Sequence, residues 1–348
     1  MNPTSDVVVT GLAAISAAGV GTQSLLDSLK RGRSALQPVP EEILGERGHL
    51  WGRAEAFKAA DYLPPLKVRK LDRCSQLAVV AAGMALEDAA LTRGAVDPLR
   101  IGIALGCGFG GIAYAEEFLR GYFTCGAEGL VPMLFPNVVP NAAASNASIE
   151  YRLKGPNVTT IQRFCSAESA FLMAKRFLEE DRADVMLTGG VDELFPGMLT
   201  GLKAMGQLRS FGAGPGEGAG LLVLERGSHA RLRGARVLAS VGEVRSVGRF
   251  SPAALGEALD RLLPAPYAAD LVSLSGTANQ ETLLLSRLPS SRRLDVGYVI
   301  GRSLAMGGIA MAALVSLLKP GLTGLQLAAS PEGPYYAIDL YGGELVEP

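Results

Sequence analysis

Four cysteines (Cys74, Cys107, Cys125, Cys165) and two histidines (His49, His229) carry all the thiol and imidazole chemistry open to this chain. No two cysteines stand in a CxxC spacing, so neither a zinc site nor a disulfide framework is expected, and no metal or cofactor is called for. Cys165 is the thiol best placed for nucleophilic work. It directly precedes Ser166 to Glu180, which reads as a helix, and a helix N-terminus favours a thiolate. A thiol nucleophile also needs a general base. His49 lies in an early loop and His229 in the charged run 224–237; both read as ordinary surface or boundary residues. Only Glu168 and Ser275 are left to substitute as a base. Glu168 also has a plainer reading, as a carboxylate complementing the helix dipole from the first turn. Two glycine-rich segments suggest phosphate loops. Gly106 to Gly111 follows a strand, but no acidic residue ends the next strand, and Gly214 to Gly220 lacks a Lys-Ser/Thr pair. The first is read as tight backbone packing near a dimer interface, and Glu217 in the second as structural.

The elements that must position these residues alternate along the chain. Short apolar runs at Val7–Val9, Ile101–Leu105, Val158–Phe164, Asp184–Leu187, Gly220–Glu225, Val237–Val241 and Leu271–Leu274 read as strands. Stretches at Thr22–Lys30, Ser75–Leu91, Ala142–Leu153, Ser166–Glu180, Ala253–Leu262 and Met306–Leu318 read as helices. Ser75–Leu91 is apolar all round, which predicts deep burial. This alternation predicts an α/β architecture with helices covering sheets. The Arg-rich stretch Arg226 to Arg236 reads as a turn that starts a second half. No low-complexity linker separates the halves, so one shared core is expected, divided as 1–235 and 236–348.

Composition limits what such a core can serve. The 348 residues hold 33 basic and 34 acidic side chains, for a net charge of −1. No global field favours nucleic acid or an anionic membrane. The longest charge-free apolar stretch, Ala305–Leu318, falls short of the ~20 residues that span a bilayer. The opening MNPTSDVVVTG has no basic segment followed by an apolar run, so no leader is expected and the compartment is read as cytoplasmic. A mean hydropathy of +0.24 then calls for a large buried interface.

Six segments in order carry a family resemblance. They are VVVTGLAAISAAGVGTQSLLDSLKRGRSAL (7–36), RKLDRCSQLAVVAAGMALEDAAL (69–91), RIGIALGCGFGG (100–111), FPNVVPNAAASNASIEYRLKGPNVT (135–159), RADVMLTGGVDE (182–193) and GEGAGLLVLE (216–225). The chain resembles the β-ketoacyl-acyl-carrier-protein synthases. The resemblance runs continuously from Val7 to about Val241 and weakens in a shortened last third. It implies a thiolase-like fold, two related βαβ halves forming a layered α-β-α-β-α core. In that family a cysteine at a strand-to-helix elbow accepts the acyl group, and two histidines serve decarboxylation and the oxyanion.

The resemblance also says where the family's groups are missing. Its cysteine lies nine residues after the first Gly of a GP motif and twenty before the Asp of an ADVM strand. Counting from Gly155 and from Asp184 both lead to Phe164, one residue before Cys165. Such a slip turns a side chain by roughly 100° about the helix axis. The two histidine slots fall on Ser275 and Arg302, and a family lysine on Gly297. The entrance loop is compressed to Phe211–Pro215, and a C-terminal gate to Tyr341-Gly342-Gly343.

The chain is thus similar to the chain length factor, the ketosynthase β subunit of type II polyketide synthases. That likeness implies no catalytic residue and no activity alone. It implies a heterodimer with a ketosynthase α subunit, and contact with acyl carrier protein mainly through that partner. Phe109, Met133 and Phe135 are the candidates to line a chain pocket or the interface, with plain interface packing as their other reading. A homodimer stays open. So does a stand-alone acyltransferase using Cys165.

Overall fold

The computed structural model describes residues 7–91, 94–264, 267–331 and 333–343. The six N-terminal residues, on which the leader expectation partly rests, lie outside them.

In chain order the main elements are β1 (Val7–Ser16), α1 (Thr22–Arg31), α2 (Arg73–Asp88), β2 (Ile101–Cys107), α3 (Ile112–Cys125), α4 (Ala142–Tyr151), β3 (Asn157–Thr160), α5 (Ser166–Glu179), β4 (Val185–Asp192), α6 (Pro196–Ala204) and β5 (Gly218–Arg226). Next come α7 (Gly227–Leu232), β6 (Ala239–Val247), α8 (Leu255–Leu262), β7 (Leu271–Gly276), α9 (Ala278–Leu285), β8 (Arg292–Leu294), α10 (Val296–Ile300), α11 (Gly307–Leu317), β9 (Thr323–Ala329) and β10 (Tyr335–Gly342).

All ten strands join one sheet, in the order β8-β7-β9-β10-β6-β1-β5-β4-β2-β3, with a short strand at Gly19–Val20 added beside β1. The order is a repeat. Read inward from each edge, β3-β2-β4-β5-β1 and β8-β7-β9-β10-β6 follow the same plan. In each half the edge strand and its two neighbours are parallel, and the last two are antiparallel additions. Within the sheet the halves are joined by the β1–β6 pairing, Val8 with Ser240 and Val9 with Ala239.

Strand alternation sends side chains into separate layers. On β5, Leu222 and Leu224 face a central core, while Leu221 and Val223 face an outer one. The central core surrounds α5 and α11, which pack on each other and on strands of both halves. Helices α2 and α4 cover the outer face of the first half, and α8 and α9 that of the second. The result is the expected thiolase-like α-β-α-β-α layering. Among the described residues no helix is long and apolar enough to cross a membrane.

Glycine makes the central layer close. A Cβ on Gly308 would stand 2.2 Å from the Gly220 carbonyl oxygen, and one on Gly220 would stand 2.1 Å from the Ile309 nitrogen. No side chain fits there, so the start of α11 lies directly on β5.

Two expectations need correction. The strand predicted over 158–164 stops at Thr160, because Arg163 takes a left-handed φ of 50° and Arg163–Cys165 forms a 3₁₀ turn. The Arg-rich stretch is not a bare turn. It contains α7, which packs on β1 and β5 of the first half, and the following strand begins at Ala239.

Candidate functional site

The link between β3 and α5 is the elbow at which the sequence places its chemistry. Phe164, which the resemblance puts in the nucleophile slot, is 5 % exposed. Its ring lies 5.4 Å from that of Phe211 and belongs to an apolar cluster with Trp51, Leu194, Met198 and Leu199. Leu304, just before α11, packs on the same cluster. Phe211 comes from the loop before β5, which brings a second ring over the elbow.

Cys165 is fully buried and sits in a different cluster, with Ala328 and Tyr336. Its Sγ donates to the Pro334 carbonyl at 3.1 Å and lies 3.5 Å from Ser330 Oγ. Burial pushes the thiol well above its ordinary pKa, and Glu168 adds to the shift. A thiol held neutral and enclosed is a poor nucleophile. The expectation of Cys165 as acyl acceptor is therefore not favoured: it belongs to the β9–β10 side of the elbow, away from the Phe164 cluster.

Ser275 ends β7 and donates to Glu168 Oε1 at 2.5 Å. Gln326 Nε2 donates to the same oxygen at 2.7 Å and reaches Ser275 Oγ at 3.2 Å, while Ser273 donates to Gln326 Oε1. Glu168 is entirely buried, and among the described residues its Oε2 has no hydrogen-bond donor. Burial pushes its pKa up to about 7 against these donors. Glu168 does stand in the first turn of α5, and it is also the centre of a buried polar knot joining α5, β7 and β9. A Cβ on Gly307 would stand 2.0 Å from Glu168 Oε1, so the knot also fixes the start of α11.

Arg302 is also buried. Its guanidinium lies over Gly297, where a Cβ would come within 2.7 Å of Nη1, and Nη1 reaches the Gly276 carbonyl at 3.4 Å. Its backbone N–H donates to the Gly214 carbonyl at 2.9 Å, and its carbonyl accepts from Gly216 at 2.8 Å. Ser275 and Arg302 therefore do converge, and both are occupied in structural hydrogen bonds.

Asp192, at the end of β4, received no role from the sequence. Its Oδ1 accepts from Gly108 at 2.6 Å and its Oδ2 from Ala305 at 2.7 Å, tying β2 to the approach to α11. Burial raises its pKa to about 6. Glu193 beside it accepts from Ala113 and Cys74, and Glu217 from Ala54, Arg73 and Leu194. Acidic residues at a strand end within the VDE run were the only signal for this scaffold. The close glycines bear out tight backbone packing, since a Cβ on Gly106 would meet the Ala167 nitrogen at 2.3 Å.

The remaining candidates are on the outside. Phe109 is 38 %, Phe135 58 % and Met133 77 % exposed. They flank α3, none of whose residues is buried although it carries Leu119, Tyr122 and Phe123.

Fold and elbow together define the class, a thiolase-like ketosynthase architecture. Residues 4–230 match the family model of the β-ketoacyl synthase N-terminal domain, and the chain belongs to the β-ketoacyl synthase family. It is 28 % identical over 286 residues to 3-oxoacyl-[acyl-carrier-protein] synthase 2 of Staphylococcus aureus (strain COL), covering 76 % of this chain and 69 % of that one. It is 34 % identical over 250 residues to nodulation protein E of Rhizobium meliloti (strain 1021), covering 68 % and 62 %. Among solved structures, a type II polyketide synthase acyl-carrier protein complexed with its ketosynthase shares the fold at a TM-score of 0.81, with 20 % identity and coverage of 97 % and 100 %. The ishigamide ketosynthase/chain length factor does so at 0.80, with 21 % identity and the same coverage.

Proposed function

We propose that this chain is a non-catalytic ketosynthase-like subunit that pairs with an active ketosynthase α subunit and helps set polyketide chain length. The observation that carries the reading is the elbow: a buried Phe164 under Phe211 in the proposed nucleophile slot, with the neighbouring thiol enclosed and neutral. Ser275 and Arg302, in the two proposed histidine slots, are held in hydrogen bonds of the scaffold. The uncovered apolar face of α3 supports a partner, as does the open edge of β3. One fold neighbour is a ketosynthase/chain length factor, and another is a ketosynthase bound to its carrier protein.

On this reading Phe109, Met133 and Phe135 meet the partner and shape the chain pocket, and acyl carrier protein engages mainly through that partner. The halves 1–235 and 236–348 are taken as the structural units, which the repeated strand order supports. The assembly is assigned to the cytoplasm, in keeping with free cysteines throughout.

Intact mass tests the proposal. The chain is incubated with acyl-loaded carrier protein, alone and then with a ketosynthase encoded beside it. The expected result is an acyl adduct on the ketosynthase and none on this chain. An adduct on Cys165 would overturn it.

A further inference from the structure

A second surface stands apart from the elbow. Helix α1 ends in Lys30 and Arg31, Gly32 turns the chain at a φ of 59°, and Arg33 follows. The N–H of Ala35 donates to the Val299 carbonyl at 2.8 Å, which holds this turn against α10. Beside it runs β8, an edge strand bearing exposed Arg292 and Arg293. Arg292 pairs with Leu271, the first residue of β7, whereas Ser275 and Gly276 end that strand. Five residue steps put the two ends roughly 15 Å apart.

Between α1 and β8 lies a hollow of about 170 Å³. Leu26, Leu29, Leu294 and Val299 are among the residues that form it, and Lys30, Arg292 and Arg293 ring it. Among the described residues none of Lys30, Arg31, Arg33, Arg292 and Arg293 has an ion-pair partner. The nearby carboxylates are otherwise engaged: Asp27 accepts from Gln23, and Asp295 caps α10 through Tyr298.

Two ordinary explanations cover part of this. Cations in the last turn of α1 complement its dipole, and charges on an edge strand deter sheet-to-sheet pairing. Neither requires Lys30, Arg292 and Arg293 to surround one apolar hollow.

We propose that this surface docks an acidic helical segment of a protein partner, with one branched apolar side chain seated in the hollow and flanking carboxylates on Lys30, Arg292 and Arg293. A nucleic acid fits poorly, because the rest of the chain carries an excess of acid that brings the net charge to −1. A membrane fits poorly, because the apolar groups are recessed. The occupant is a protein other than the one proposed to cover α3.

Fluorescence anisotropy of the full chain with a labelled helical peptide tests this. The peptide carries a central Leu with Glu three and four residues to either side, so that all lie on one face. The expected result is binding at low salt that weakens roughly tenfold on raising the salt, and as much in the R292E/R293E chain. Replacing the peptide's Leu by Ser should cost about tenfold again. Both substitutions are at exposed positions, and an unchanged thermal melt shows that the variant is folded. Equal binding of the Leu and Ser peptides, or by the charge-reversed chain, would overturn the proposal. So would tighter binding of a labelled single-stranded DNA or of phosphatidylserine vesicles.

Discussion

At the elbow, a phenyl ring and a carboxylate carry the load that reactive groups would leave unfilled. Phe164 is enclosed by side chains from the early loop, α6 and the compressed loop. Truncating it to Ala leaves a cavity those elements cannot close, so F164A is expected to lose about 3–5 kcal/mol in denaturant unfolding. F164C should restore a thiol without acyl transfer, since Ser275 and Arg302 supply no base; steady-state assays would show no turnover. Glu168 titrates in the opposite sense to a paired surface carboxylate. Its folded pKa, about 7, is raised by burial above the ordinary value of 4.5. The stability it permits is complete below pH 4.5 and is lost as pH rises through 7. E168Q keeps the neutral form, so it should gain on the wild type between pH 5 and 8 in unfolding experiments. Asp192 and Glu193, also raised, stay in both proteins and cancel in the difference. A difference that does not change with pH would show that Glu168 is charged in the fold.

At the scale of elements, legibility followed burial. Helix α2 and strand β5 were evident because each is an unbroken apolar run between clear stops. Strands β9 and β10 were not. Their apolar residues are interrupted by Gln326 and Asp339, whose main partners are distant in sequence, Ser273, Ser275 and Glu168 for the first and Arg245 and Tyr267 for the second. Helix α3 was missed for the opposite reason, since none of its residues is buried and its apolar residues do not form a core-facing stripe. The elbow was half legible. Counting from Gly155 and Asp184 located Phe164, but the left-handed Arg163 that ends the strand early carries no glycine to announce it. If α3 meets the partner, charge on its rim should break pairing and spare the fold. M133E alters a side chain 77 % exposed. Its thermal melt as a dilute isolated chain, below the concentration at which the wild type self-associates, should match wild type, and co-purification with the ketosynthase should fail. Retained pairing would move the interface elsewhere.

For the whole molecule, apolar residues serve two purposes that composition cannot separate. Much of the excess lies in the central layer, where α5 and α11 are shared between both halves of the sheet. The remainder stands outside, at Phe123, Met133, Phe135 and Ile149, a combination that marks an interface more than a surface at rest in water. If a partner covers that face, stability becomes a property of the pair. A partner that binds only the folded chain adds RT ln(1 + [L]/Kd), about 2.7 kcal/mol at a hundredfold excess over Kd. The melting temperature of this chain is therefore expected to rise with the logarithm of added ketosynthase once that exceeds Kd, while light scattering reports a one-to-one complex. The chain alone should self-associate through the same face, and M133E should reduce that tendency as well as abolish the ketosynthase effect. A chain that stays monomeric at high concentration, with a melting temperature indifferent to the ketosynthase, would show that the exposed face has no such partner and that the subunit reading fails at its foundation.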